Sequence, residues 1–265
     1  MKILITGAHG FVGNRLMQDL DDTVAAPSMR GMSEEQIRNM IEKSRADVII
    51  HTAAISDVGT CEKDPRASYE ANVRLPLFLA KAAKEQKLIC FSSDQVYRGC
   101  AGEGPYKEED ASPCNVYGRH KLEMEQKVLD VKPDAVMLRA EWMYDYPTKR
   151  SNYLRMPLNE KQVLTFGKQY RGITYLREVA ENMPKIFMLP GGVYNFGSET
   201  KQTMYDITCE MLHFLKSDRK PEEVPPAHNL WMDCTKAKER GILFSDAKEG
   251  LKRCLKDYHL AKDRE

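Results

Sequence analysis

No apolar run in the 265-residue chain approaches the roughly eighteen residues a membrane-crossing helix needs, so no span is expected. An excess of one charge sign is missing too. The 40 Lys and Arg stand against 39 Asp and Glu, a formal net charge of +1, and no basic block is interleaved with aromatics, so neither nucleic acid nor a membrane surface is an expected partner. The seven cysteines (Cys61, Cys90, Cys100, Cys114, Cys209, Cys234, Cys254) contain no Cys-x-x-Cys pair, and their odd number fits reduced thiols better than a disulfide framework. His51, His120, His213, His228 and His259 are scattered without metal-ligand spacing, so no metal is expected. A single lysine precedes the first apolar run, which does not read as a secretory leader. Internal repeats and low-complexity tracts are also absent. These absences leave a cytoplasmic globular chain, long enough for one large domain or a large and a small one.

What the chain does have begins at residue 3. Ile3, Leu4 and Ile5 form a short apolar run suited to a central strand covered on both faces. Gly7, Gly10 and Gly13 follow with the spacing G-x-x-G-x-x-G, and an amphipathic helix carrying Phe11, Val12, Leu16 and Leu20 comes next. A glycine in the turn permits backbone angles that a side chain blocks. A second lets the backbone approach a phosphate, and a third packs the helix close to the strand. Helix-start N–H groups near Phe11 and Val12 then face the anion, aided by the helix dipole. Strand, turn and helix in this order point to a dinucleotide pyrophosphate. The plainer alternative is a structural corner.

Strand and helix patterns alternate along the first half of the chain. Strands are expected at about 2–6, 23–26, 47–51, 87–92 and 134–138, and helices at about 11–20, 33–44, 66–84 and 116–130. Such alternation argues for a doubly wound α/β fold with a parallel sheet. Ser33 and Gln36 form a capping-box signature at the second helix. Thr52, Ala53 and Ala54, following the third strand, are small enough to leave room for a cofactor across the strand ends. Beyond Arg139 the alternation fades, so residues 1–140 are read as the dinucleotide-binding domain and 141–265 as a smaller substrate-binding region, with 192–197 returning a strand to the main sheet.

Tyr117 and Lys121 stand four residues apart, on one face of the expected helix 116–130. A nearby cation favours phenolate, so the pair suggests a tyrosine with a lowered pKa that serves as a proton donor. An ordinary amphipathic face would show the same spacing. Upstream, the strand Leu88–Phe91 runs into Ser92, Ser93 and Asp94, placing hydroxyls at a carboxyl strand end, where open α/β sheets bind ligands.

These stretches closely resemble the extended short-chain dehydrogenase/reductase superfamily. Thr6-Gly7-Ala8-His9-Gly10-Phe11-Val12-Gly13 matches its first signature, and Tyr117 with Lys121 matches its second. Within it the chain looks most like the dTDP-4-dehydrorhamnose reductases, on Asp47–Ala54, Ser92–Tyr97, Pro113–Gly118, Leu138–Tyr144 and Asn229–Asp233. The resemblance implies a Rossmann-like sheet and an NAD(P)-dependent reduction of a 4-keto-6-deoxy sugar nucleotide. It also implies that Tyr117 protonates the developing alkoxide, Ser93 hydrogen-bonds the carbonyl oxygen, and Lys121 holds Tyr117 and the nicotinamide ribose. The cofactor set it implies is Gly7, His9, Gly10, Phe11, Val12, Gly13, Ser28, Arg30, Thr52, Ala53, Ala54, Tyr117 and Lys121. Asp94, Trp142, Gln169 and Arg171 are the candidate substrate residues. A homodimer is left open.

No carboxylate follows the second strand, where Val24-Ala25-Ala26-Pro27-Ser28-Met29-Arg30 stands instead. That favours NADPH and keeps NADH as the alternative. Arg15 is a further candidate near the phosphates, ranked below Arg30. The related 4,6-dehydratases carry Asp-Glu where this chain has Asp94-Gln95, and an amide does not serve as that acid/base. A sugar-nucleotide epimerase keeps the same triad and stays an alternative. So does a non-catalytic cofactor-binding subunit like that of methionine adenosyltransferase, because a fold of this kind can be retained for association alone.

Overall fold

The computed structural model describes residues 1–147 and 152–260. The apolar run after Lys2 forms strand β1 (Ile3–Thr6), buried at all four positions, as a strand covered on both faces requires. It leads into α1 (Phe11–Asp19), β2 (Thr23–Ala25), α2 (Glu34–Ser44), β3 (Val48–His51), α3 (Val58–Lys63), α4 (Pro65–Tyr69), α5 (Leu75–Ala82), β4 (Lys87–Ser93), α6 (Val116–Val131) and β5 (Val136–Ala140). The remainder comprises β6 (Trp142–Tyr144), α7 (Arg155–Leu158), β7 (Thr165–Phe166), β8 (Ile173–Tyr175), α8 (Leu176–Ile186), β9 (Gly192–Phe196), α9 (Met204–Phe214), β10 (Glu222–Glu223), α10 (Thr235–Lys238) and α11 (Ala247–Asp257).

Six strands pair in parallel in the order β2-β1-β3-β4-β5-β9, the expected doubly wound sheet with β9 as its returning strand. The stretch between β2 and β3 holds one helix and no strand, so β2 is the sheet edge. Chain direction around the sheet reverses at β1 and β3, and such a switch point opens a crevice at the carboxyl ends of the strands. Alternate strand residues feed the two faces. Ile3, Ile5, Val48, Ile50 and Ile89 pack with Leu16 of α1 and with Val179 and Met183 of α8. Leu4, Ile49, Leu88 and Met137 pack with Ile37 and Ile41 of α2, Leu79 of α5 and Met124 and Val128 of α6. Part of the chain beyond residue 140 therefore completes the main core. A separate core gathers Tyr144, Tyr153, Phe166, Tyr175, Ile207, Met211 and Leu251 around the pairing of β6 with β8.

The capping box forms as expected: Ser33 Oγ accepts from the Gln36 N–H at 3.3 Å, and Gln36 Oε1 accepts from the Ser33 N–H at 2.8 Å. The single helix expected over 66–84 does not. It is divided into α4, a π-helical turn at Glu70–Arg74, and α5. Pro76 has no N–H to continue the ladder at the start of α5. Within the π turn, buried Asn72 accepts from the Ile55 N–H at 3.1 Å and donates to the Ile55 carbonyl at 2.9 Å. The widened turn thus anchors the loop that leaves β3. All seven cysteines are free, and no helix among the described residues is long and apolar enough to cross a membrane.

Candidate active site

The glycine turn lies at the switch point. Gly7 has φ +71°, and a Cβ there would stand 2.7 Å from the Ala53 N, so this turn meets the loop after β3 at backbone distance. At Gly13 a Cβ would overlap the Gly7 carbonyl oxygen, so only glycine lets α1 begin this close to β1. Gly10 is the N-cap of α1. It contributes no side-chain cap, and the first turn of α1 holds no acidic residue, which leaves the N–H groups of Phe11 and Val12 for an anion while their side chains pack on the core. Thr52 Oγ1 donates to the Thr6 carbonyl at 2.8 Å and fixes the opposite lip, where Ala53 and Ala54 present small side chains. His9 is exposed at the turn, and Ser28 and Arg30 are exposed beyond β2, with the Arg30 N–H 3.5 Å from Ser28 Oγ. This donor set fits a dinucleotide: uncapped helix N–H groups for its phosphates, a guanidinium beyond β2 and no competing carboxylate. Arg15 does not belong to it. The helix carries Arg15 away from the turn, where it pairs with Asp19 at 2.6 Å and Asp145 at 3.2 Å and donates to Tyr258 at 2.7 Å.

Ser93 ends β4 and is paired in register with Ala140, while Asp94–Tyr97 turn off as a 3₁₀ segment. Asn115 caps α6, accepting from the Gly118 N–H at 2.7 Å, and Gly118 packs against the Gln95 carbonyl, too close for a Cβ. The helix start is thereby held against the end of β4. Tyr117 lies beside Ser93, and Lys121 lies one turn further, its Nζ 5.9 Å from the Tyr117 ring centre. Lys121 donates to the Phe91 carbonyl at 2.7 Å. Serine, phenol and amine thus converge at the carboxyl end of β4, beside the β1–β3 crevice.

The electrostatics differ from the expectation. Burial pushes the Tyr117 phenol above its ordinary range, opposed by the neighbouring Ser93 hydroxyl, and Lys121 is not among the causes of that shift. Burial also lowers Lys121 to about 8, against the pull of Cys90, Glu125 and Cys61, so the amine carries a full charge only below that pH. Desolvation is the largest cause of both shifts. His51 lies beneath them. Its Nδ1 is 2.7 Å from Thr6 Oγ1, its Nε2 has no partner, and burial together with Lys121 lowers it to about 3, leaving a neutral imidazole.

Of the expected substrate residues the structure brings three together. Arg171 reaches Asp94 through Nη2 at 2.8 Å and Nε at 3.0 Å, and its guanidinium lies 5.2 Å from the Trp142 ring centre. Asp94 Oδ1 also accepts from Ser93 Oγ at 3.1 Å, joining this cluster to the triad. Gln169 does not join them. Its Oε1 accepts from the Ala227 N–H at 3.3 Å, which ties it to the 225–227 loop.

Three features escaped the reading of the chain. Arg139 and Glu125, both buried, form a bidentate pair, and Arg139 reaches Tyr97 while Ser92 donates to Glu125 at 2.5 Å. This network lies under the 3₁₀ segment that carries Asp94. A charged residue inside the apolar stretch Val136–Ala140 was the available signal, because a charge there demands a partner. Asn72, bracing the β3 loop, carried no comparable signal. Glu141 carried one only as an acidic residue among apolar neighbours. It is buried against Thr174, Ser198 and the Asp94–Arg171 pair.

Fold and site define the class of NAD(P)-dependent oxidoreductases of the extended short-chain dehydrogenase/reductase kind. The chain belongs to the family described as RmlD substrate binding domain, whose model matches residues 1–260. It is 28% identical over 243 residues to a dTDP-4-dehydrorhamnose reductase of Aggregatibacter actinomycetemcomitans, covering 84% of this chain and 82% of the relative. It is 27% identical over 278 residues to methionine adenosyltransferase 2 subunit beta of Mus musculus, covering 91% and 83%. Among solved structures, a dTDP-4-dehydrorhamnose reductase from Bacillus anthracis in complex with NADP superposes with a TM-score of 0.87 at 22% identity, over 97% of this chain and 99% of that one.

Proposed function

We propose that this protein is an NADPH-dependent reductase of a 4-keto-6-deoxy sugar nucleotide, resembling the dTDP-4-dehydrorhamnose reductases. The observation that carries the reading is the convergence of Ser93, Tyr117 and Lys121 at one strand end beside the glycine turn. The N–H groups of Phe11 and Val12 would bind the cofactor pyrophosphate, Ala53 and Ala54 would border it, and Arg30 with Ser28 would take a 2′-phosphate. When bound, the nicotinamide supplies the reducing equivalent. Ser93 Oγ donates a hydrogen bond to the substrate carbonyl oxygen, and Tyr117 gives that oxygen its proton as negative charge develops there. Burial keeps the phenol protonated, so it waits as an acid. Lys121 is oriented by the Phe91 carbonyl and draws the phenolate charge that forms at Tyr117. Arg171 and Trp142 would border the sugar nucleotide.

An elimination is disfavoured at Gln95. Its amide oxygen is held by Asn115 Nδ2 at 3.0 Å, and an amide supplies neither acid nor base there. The test is to follow reduced-nicotinamide absorbance across a panel of 4-keto-6-deoxy sugar nucleotides. Consumption of NADPH with one of them is the expected outcome. Tight NADPH binding with no turnover on any of them would overturn the reductase in favour of a non-catalytic, cofactor-binding subunit.

A further inference from the structure

Glu141 follows the last residue of β5, one position beyond the register level of Ser93, and is buried. Its Oε1 accepts from Thr174 Oγ1 at 2.5 Å and from the Ser198 N–H at 2.6 Å, and the same N–H reaches Thr174 Oγ1 at 2.9 Å. One carboxyl group therefore clamps three segments: the β5–β6 junction, β8 and the loop after β9. Gly172 and Gly197 border it, and a Cβ on either would overlap the carboxyl. Its chain neighbour Trp142 and Gly172's chain neighbour Arg171 are the two residues that stack at the crevice wall. The clamp thus fixes the backbone from which both side chains start.

We propose that Glu141 is a positioning residue which, by holding Arg171 between Asp94 and Trp142, sets the affinity of the crevice wall for an anionic ligand. The inference rests on the sugar-nucleotide reading and adds a determinant to it. The charged groups facing Glu141 are Asp94 and Arg171, and the thiol of buried Cys234 is close enough to feel its charge. Burial, seconded by Asp94 and opposed by the Thr174 and Ser198 hydrogen bonds and Arg171, pushes the carboxyl up to about 8. Below that pH the clamp is neutral, and Asp94 is the one carboxylate engaging Arg171, whose half-buried fork retains attraction for a diphosphate. As pH rises through about 8, a second carboxylate forms behind the guanidinium and competes with the ligand for it.

The test compares wild type, Glu141→Gln and Glu141→Ala for calorimetric binding of dTDP-glucose at about pH 7 and about pH 9, the diphosphate diester keeping its charges across this range. Between the two conditions wild-type affinity is expected to fall about tenfold further than that of Glu141→Gln, which keeps both acceptor bonds. Glu141→Ala should bind more weakly at both. Lys121 also titrates near 8, but it does so in every variant and cancels in the comparison. A second readout needs no ligand: the Arg171 Nε–H resonance, assigned by its loss in Arg171→Lys, should shift with a midpoint near 8 in wild type and stay still in Glu141→Gln. A stationary Arg171 resonance in wild type, or parallel titration in Glu141→Gln, overturns the proposal. Failure of dTDP-glucose to bind counts against the sugar-nucleotide reading, and the Arg171 resonance then decides Glu141 separately.

Discussion

The two walls of the crevice are made of different material. The wall formed by Gly7, Gly10, Gly13 and Thr52–Ala54 is mostly backbone: two short runs of chain, brought together because β1 pairs with β3, because the glycines carry no side chain and because Thr52 Oγ1 bonds the Thr6 carbonyl. The wall formed by Asp94, Glu141, Trp142, Arg171 and Thr174 is side chain, tied to the Ser198 N–H, and its bonds join residues 77, 33 and 57 positions apart. Backbone walls recognise what all dinucleotides share, a pyrophosphate. Side-chain walls change with one substitution, which makes them the place where substrate choice is set.

That contrast can be broken most severely from below the side-chain wall. Arg139→Met strands the buried Glu125 carboxylate and releases Tyr97, so a loss of about 3–5 kcal/mol is expected in chemical denaturation. The paired change Glu125→Leu with Arg139→Met should recover part of it, since no lone charge is then buried. On the backbone wall, Gly13→Ala drives a methyl group into the Gly7 carbonyl, with an expected cost of about 1–3 kcal/mol and a larger proportional loss of NADPH affinity, read by fluorescence titration. The smallest effect sharpens the contrast. Arg30→Ala should weaken NADPH by about tenfold and leave NADH nearly unchanged, because on the proposed reading exposed Arg30 would act only through its charge on a 2′-phosphate. An unaltered NADPH-to-NADH ratio would remove Arg30 from that role.

The same contrast explains what was legible in the chain. Strands β1, β3, β4 and β5 and helices α1, α2 and α6 were readable because their apolar periods and caps are local. The glycine turn was readable for the same reason. The division of 66–84 was not, because it depends on Asn72 finding Ile55 across 17 residues. The direction of the Tyr117 pKa shift was misjudged from spacing, since a helix period says which groups are near and nothing of how deeply they are buried. Arg15 looked available for phosphate on position along α1, while its partners Asp145 and Tyr258 lie 130 and 243 residues away. Glu141 was visible as a letter and silent as a function until β8 and the loop after β9 closed around it.

The most direct test of the account is Tyr117→Phe, assayed for turnover of a ketosugar nucleotide and, separately, for NADPH affinity. Removing the phenolic hydroxyl, and with it the proton donor, should lower turnover by about 10²–10⁴-fold while the cofactor dissociation constant stays near wild type. Undiminished turnover, or a cofactor affinity that falls in step with activity, would contradict Tyr117 as the proton donor and with it the convergence of Ser93, Tyr117 and Lys121 as a catalytic site.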